Sequence, residues 1–227
     1  MRPKYSLIFH EAQQPVTQLI TKFGGQPTWL TIPQWPLSRA TGIPMRFIGQ
    51  IALGPEIFGH IAGRMAYLFL TDDEEIFVDN TFDPEGGENA VIIQPGICEI
   101  PTQPLATGPT LYKMVNAPSG MTLIPVSCEF TVAVSPGEDP DVIVEDEHAH
   151  ATDEAWKAFT AQGEEIKIGG TPAFVQGPEF PEGTNWQLLL QLDSANLPFY
   201  VNFGDAGVGY AFLSEDGTRG KFLWQGL

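Results

Sequence analysis

Residues 22–30 read KFGGQPTWL, and residues 167–175 read KIGGTPAFV. The segments downstream of the two copies are also alike: residues 47–53 (FIGQIAL) precede residues 66–73 (AYLFLTDD), as residues 188–194 (LLLQLDS) precede residues 209–216 (GYAFLSED). Four landmarks recur in order: a Lys-apolar-Gly-Gly-x-Pro turn, a strand with a central Gln, a Tyr-x-Phe-Leu strand and an acidic turn. The offset between matching landmarks drifts only from 145 to 141 to 143 residues, which short loop insertions explain. Two copies at so long a period suit a pair sharing one core better than an open solenoid, which needs about three units.

Between the landmarks, strand signals dominate. They include residues 91–94 (VIIQ), 121–127 (MTLIPVS), 129–135 (EFTVAVS), 141–145 (DVIVE), 187–193 (QLLLQLD), 199–203 (FYVNF) and 210–214 (YAFLS), punctuated by 24 Gly and 20 Pro. Helix signals are few. Residues 151–163 (ATDEAWKAFTAQG) carry a cap in Thr152, early acids and a terminal Gly, and residues 54–64 (GPEIFGHIAGR) carry Pro55 ahead of a short apolar stripe. The reading predicts an α+β, mainly antiparallel β fold, internally duplicated, with two pseudo-symmetric β-rich halves packed on one core and few short helices. A single domain spans residues 1–227, with the repeat at 22–73 and 167–216 and an acidic connection at 74–166.

At 227 residues and 43% hydrophobic, the chain can bury a sizeable core. No stretch approaches the roughly 18 apolar residues of a membrane span, and the opening MRPKYSLIFHEA lacks a secretory apolar region, so a cytoplasmic protein is expected. The formal charge of -17 is unevenly placed: residues 65–156 hold eighteen acids and one base, Lys113. A nucleic-acid partner requires a basic footprint that this chain lacks. Such a field attracts cations or a basic protein partner, and equally serves as a solvated surface that keeps the chain soluble.

The Gly24-Gly25-Gln26-Pro27 and Gly169-Gly170-Thr171-Pro172 turns read as rigid, bent entries into extended segments. Asp205, in residues 202–210 (NFGDAGVGY), reads as a further turn former. By strict alternation, Gln50 shares a strand face with Ile48 and Ala52, and Gln191 with Leu189 and Asp193. A Gln in an apolar strand must have its amide satisfied. Two readings stand: a structural bond to a glycine-rich turn, or a pair of polar anchors lining a crevice between the halves. The second reading makes Gln50, Gln191, Trp29, Tyr67, Phe174 and Tyr210 the candidate ligand-binding residues.

The segments TKFGGQPTWL, QWPLS, GIPMRFIGQIAL and AYLFLTDD, with KIGGTPAF, LLLQLDS, NFGDAGVGYAFLSEDG and KFLWQ, resemble the YwqG-like family of bacterial proteins, a domain of unknown function. The resemblance covers nearly the whole chain. It implies a mixed α/β or mainly β fold with internal duplication and brings no catalytic set. Some members are similar to proteins encoded beside secreted toxins, so the resemblance also implies an immunity or antitoxin-like role.

The motifs give no enzyme class, and a glycosidase-type carboxylate pair among the 28 acids would leave no fixed spacing to read. No serine sits in a nucleophile elbow, and Cys98 and Cys128 lie among apolar residues as buried thiols. Asp193 and Asp205 are the acids nearest the repeated strands. In residues 145–150 (EDEHAH), His148 and His150 would share an extended face and form, with a carboxylate, a candidate metal site; the same run also reads as an exposed loop. No cofactor and no catalytic residue is assigned. The expected function is a non-enzymatic binding protein for a basic protein partner, with a small-molecule or peptide binder, enzymatic or not, as the alternative.

Overall fold

Short runs of β-branched and aromatic residues between Gly and Pro give fourteen strands among the described residues. The computed structural model describes residues 1–72, 79–118, 120, 122–141, 152, 154, 157, 161, 165–183 and 185–226. In chain order the elements are β1 (Arg2–Glu11), β2 (Lys22–Gly24), β3 (Trp35–Pro36), β4 (Arg46–Ala52), α1 (Pro55–Phe58), β5 (Met65–Leu70), β6 (Asn89–Gln94), β7 (Thr102–Gln103), β8 (Tyr112–Asn116), β9 (Leu123–Ser127), β10 (Glu129–Asp139), β11 (Lys167–Gly169), β12 (Trp186–Asp193), β13 (Val208–Ser214) and β14 (Gly220–Gln225).

Ten of these strands close a barrel in the order β1-β10-β2-β4-β5-β6-β14-β13-β12-β11, with every neighbouring pair antiparallel. This corrects the expected α+β pair of packed halves. The early strands β2, β4, β5 and β6 do not pack face to face against the late strands β11 to β14. They join them edge to edge, at β6 with β14 and through β1 and β10, so one continuous ladder replaces the seam. The physical reason is that each four-strand group presents two unpaired edges, and closure removes all of them. The helical pieces with defined bounds among the described residues are α1 and two 3-10 turns at Gly59–Ile61 and Ser194–Asn196, and Glu154, Lys157 and Ala161 are helical as well.

Residues 199–203 depart from expectation. Their side chains alternate, with Phe199, Val201 and Phe203 buried and Tyr200 and Asn202 exposed, but no ladder forms. The apolar alternation covers the core without a strand partner; Tyr200 N–H bonds the Tyr112 carbonyl at 2.9 Å. Residues 142–145 of the 141–145 strand, and most of the 151–163 helix, lie outside the described residues.

The barrel strands are apolar on both faces of the pleat. Ala66, Leu68 and Leu70 of β5 join the main core with Ile48, Ile51, Leu190 and Leu213, whereas Met65, Tyr67 and Phe69 point outward into a second cluster with Trp35 and Phe47. A third cluster, Phe174, Leu188, Tyr210, Phe212 and Leu223, covers the outer face of β12 to β14. A buried strand covered on both faces reads as a continuous apolar run, which is the pattern of these segments.

Where β1 meets β10 and β11, a buried ion network holds the barrel shut. The Lys167 ammonium, 1% exposed, donates to Asp139 Oδ2 at 2.7 Å, and Lys4 Nζ lies 2.7 Å from Asp139 Oδ1 and 2.5 Å from Glu165 Oε2. Across β10, Lys22 is equally buried and donates to Glu129 Oε1 at 2.7 Å and to the Val16 and Gln26 carbonyls. Burial pushes the Asp139 pKa up, but hydrogen bonds from Lys167, Lys4 and the Thr171 N–H outweigh it and hold the carboxyl below its ordinary 3.8. For Lys4, burial lowers the pKa, and Asp139 and Glu165 carry it above 10.5.

The Asp139 contribution is therefore complete above pH 3.8 and is lost as pH falls through the depressed value. That of Lys4 is complete below 10.5 and is lost as pH rises past its raised value. Asp139→Asn takes the nearest counter-charge from buried Lys167 and one of two from half-buried Lys4, and is expected to cost about 3–5 kcal/mol at neutral pH. It should also flatten the acid limb of the stability profile below about pH 4, as measured by urea unfolding across pH.

Candidate functional site

The predicted site residues converge on a structural device. After each Gly-Gly turn the chain crosses the outer face of the barrel as a strap without ladder bonds, and strand side chains satisfy its backbone. In the first strap, Gln50 Oε1 accepts from Thr28 N–H at 2.8 Å, and Tyr67 OH donates to the Thr28 carbonyl at 2.9 Å while accepting from Leu30 N–H at 2.7 Å. In the second, Gln191 Oε1 accepts from Ala173 N–H at 3.0 Å, and Tyr210 OH donates to the Ala173 carbonyl at 2.7 Å. The other ends of the two amides donate to the Ile20 carbonyl at 2.9 Å and the Glu165 carbonyl at 3.0 Å.

A β-bulge sets this geometry in both strands. The register of β4 on β5 shifts between Phe47 and Gly49, and that of β12 on β13 shifts between Leu188 and Leu190. The extra residue turns Ile48 and Leu189 into the main core and places Gln50 directly opposite Tyr67, and Gln191 opposite Tyr210, on the outer face. Strict alternation, which puts Gln50 with Ile48 and Gln191 with Leu189, fails at that residue. Burial pushes the Tyr67 hydroxyl up to about 12 and the Tyr210 hydroxyl higher still, so both remain neutral donors.

Sequence reasoning misses two further anchors. Gln94, at the end of β6, accepts from Thr31 N–H at 3.0 Å and donates to the Ile32 carbonyl at 2.8 Å. Gln225, at the end of β14, accepts from Val175 and Gln176 N–H at 3.1 Å and donates to the Gly177 carbonyl at 3.0 Å. Their signal is the Gln that closes the apolar runs VIIQ and FLWQ.

The remaining predicted residues have equally local roles. Trp29 is half-buried over Tyr67, with ring centroids 4.7 Å apart, and Phe174 is buried against Tyr210 at 5.0 Å. Gly24, Gly25, Gly169 and Gly170 all have positive φ, and a side chain on Gly24 or Gly170 would overlap the Cys128 carbonyl or the Asp139 carboxylate. Pro27 and Pro172 are buried just beyond these turns. Asp205 is exposed in the bend that leads into β13, and Asp193 is buried, accepting from Ala195 N–H at 3.0 Å. Burial raises the thiol pKa of Cys98 and takes that of Cys128 to about 11, so neither is a ready nucleophile. His148 and His150 lie outside the described residues; among the described residues no cluster of three His, Cys, Asp or Glu is arranged to hold a metal.

A concavity large enough for a small ligand lies elsewhere, beside α1 and the Gly169-Gly170 turn. This groove of about 480 Å³ has Phe58 and Leu188 at its base, Trp186 on its wall, and Arg2, His60 and Glu215 at its rim. Such a volume falls in the range of ligand sites. A second concavity of about 350 Å³ shares His60 and Glu215 and adds Asp216 and Arg219. Hydrogen bonds from Ser214 and from Thr218 draw the Asp216 pKa down to about 2, so it stays ionised. None of the six predicted ligand-binding residues lines the larger groove.

Gln191→Leu strips a partner from two backbone groups under a buried strap and should cost on the order of 2–4 kcal/mol; Tyr210→Phe should cost roughly 1–2 kcal/mol. Urea unfolding of the two variants checks both values.

Residues 21–221 match the family described as a domain of unknown function (DUF1963). No curated protein matches the chain. With most of its length inside that match, the chain belongs to the DUF1963 family.

Proposed function

We propose that this chain is a YwqG-like binding protein without catalytic turnover, working in the cytoplasm, which holds a basic protein partner against its anionic surface as an immunity protein holds a toxin. The observation that carries this reading is where the cations go. Lys22 and Lys167 are buried in ion pairs, Lys4 is half-buried in one, and Arg46, Lys113 and Lys221 are held by Asp72, Glu11 and Glu85. Glu56, Glu138, Glu179, Glu182, Asp205 and Glu215 remain exposed in a chain of net charge -17. Six of the eleven basic side chains are thus paired with carboxylates of the same molecule while these six carboxylates face outward, which suits fast, electrostatically steered capture of a cationic surface. The duplication at residues 22–73 and 167–216 belongs to the same reading, and the matched strap bonds support it.

The test is co-expression with a toxin encoded beside the chain, together with binding measured at low and high salt. Protection of the cells is expected, with affinity falling roughly tenfold or more as salt rises. A toxin that still kills, or binding indifferent to salt, rejects the reading.

A second reading, a small-molecule or peptide binder, is favoured by the groove. Its apolar base, aromatic wall and charged rim form the usual composition of a ligand site. A ligand that fills it should raise the melting temperature, and Trp186→Ala should abolish that rise. A rise that survives Trp186→Ala places the ligand elsewhere.

A further inference from the structure

We infer, resting on the reading of the groove beside β12 as a ligand site, that its occupant is an extended peptide that lies parallel to β12 and accepts a hydrogen bond from the Leu188 N–H. Two corners of the barrel are built in the same register, and one of them is already filled in this way. β2 and β11 have three residues each. β2 sets Gly24 opposite Glu129 of β10 and Lys22 opposite Gln50 of β4, as β11 sets Gly169 opposite Lys4 of β1 and Lys167 opposite Gln191 of β12. Just beyond, Gly25 N–H bonds the Cys128 carbonyl and Gly170 N–H bonds the Pro3 carbonyl, both at 3.0 Å. There each short strand ends, and a slot opens between the chains that flanked it.

At the first corner, residues 108–111 (GPTL) of the chain itself fill the slot. Phe47 N–H donates to the Pro109 carbonyl at 2.9 Å, Phe47 and Thr110 form a parallel bridge, and Cys128 N–H donates to the Leu111 carbonyl at 3.1 Å. Arg46 Nη1 donates to the Thr110 carbonyl at 2.8 Å, and the Thr110 hydroxyl donates to the Gly25 carbonyl.

At the second corner the groove takes the place of that segment. The bulge of β12 falls where that of β4 does, so Leu188 holds the register of Phe47 and Gln187 that of Arg46. The Leu188 N–H is therefore turned toward the slot, and among the described residues it meets no acceptor there; the Gln187 amide and the Gly170 carbonyl also lack partners among them. All three residues line the groove. A strand edge with an open donor is a template for main-chain pairing by an extended segment.

The differences between the corners define the ligand. Pro3 replaces Cys128 and has no N–H to give, so the ligand is held from the β12 side. A side chain on Gly24 would meet Leu111, whereas one on Gly169 would meet Ile57, so Ile57 occupies the space of the Leu111 side chain and the ligand residue at that point is small. Lying parallel to β12, the ligand has its N-terminal end beside Trp186, which pairs with Ser214, and hence beside Glu215. Arg2 on the opposite rim is held by Asp141 at 3.7 Å, while Glu215 has no basic partner among the described residues. A basic residue at the N-terminal end of the ligand complements it.

Titration of the isotope-labelled full chain with the capped peptide acetyl-Lys-Gly-Pro-Thr-Gly-amide, followed by amide NMR to several millimolar, tests this. The Leu188 amide proton is expected to move downfield to saturation. Gln187→Ala, with its spectrum otherwise that of the folded parent, should raise the dissociation constant roughly three- to tenfold. Exchanging the peptide's lysine for glutamate should raise it roughly twofold or more. Saturable shifts at Trp186 with none at the Leu188 amide overturn strand pairing and leave the groove a ligand site of another kind. No saturable shift at either residue overturns the peptide as occupant, and the groove reading itself then stands or falls on Trp186-dependent stabilisation by other ligands. An affinity unchanged by Gln187→Ala, or by the lysine exchange, overturns the proposed placement along β12.

Discussion

A polypeptide segment laid across the outside of a closed barrel buries amides that no ladder can reach, and this constraint organises the molecule. Each strap is satisfied by a Gln, a Tyr and a second Gln projecting from three successive strands: Gln50, Tyr67 and Gln94 under one, and Gln191, Tyr210 and Gln225 under the other. The amide offers a donor and an acceptor together, and the phenol does the same through one oxygen, so a few side chains stand in for a missing strand. The straps in turn cover Tyr67, Phe69, Tyr210 and Phe212, which is why the barrel strands tolerate apolar residues on both faces.

Much of this was legible in the sequence and some was not, for identifiable reasons. The glycine turns, the Gln-bearing strands and the doubly apolar runs could be read because φ, periodicity and burial act locally. Closure could not be read: which edge β6 or β11 finds is a long-range matter, and the duplicated landmarks suggested packed halves where the strands share one ladder. The bulges at Ile48 and Leu189 were also invisible, since one extra residue leaves no compositional mark, yet it decides which way Gln50 and Gln191 point. Residues 199–203 alternate like a strand because alternation reports a buried face, and a buried face does not require a hydrogen-bonded neighbour.

The same logic separates scaffold from candidate site. Lys22 and Lys167, which beside glycine-rich turns resemble anion ligands, are saturated by carboxylates and carbonyls of their own chain. The groove residues Trp186 and His60 sit on no repeated motif, so the sequence pattern that reveals the fold is silent about them. The candidate groove lies where the chain departs from its own periodic design.

Placing β1 between β10 and β11 has a kinetic corollary. Its nearest ladder partner in sequence, Phe130 opposite Glu11, lies more than half the chain away, and Gly169 opposite Lys4 lies further still. On a ribosome β1 emerges well ahead of its partners, and Leu7 and Phe9 wait for β10 and then β11 to be made. Barrel closure is thereby delayed, and such high contact order makes maturation slow and exposes the nascent chain to chaperones.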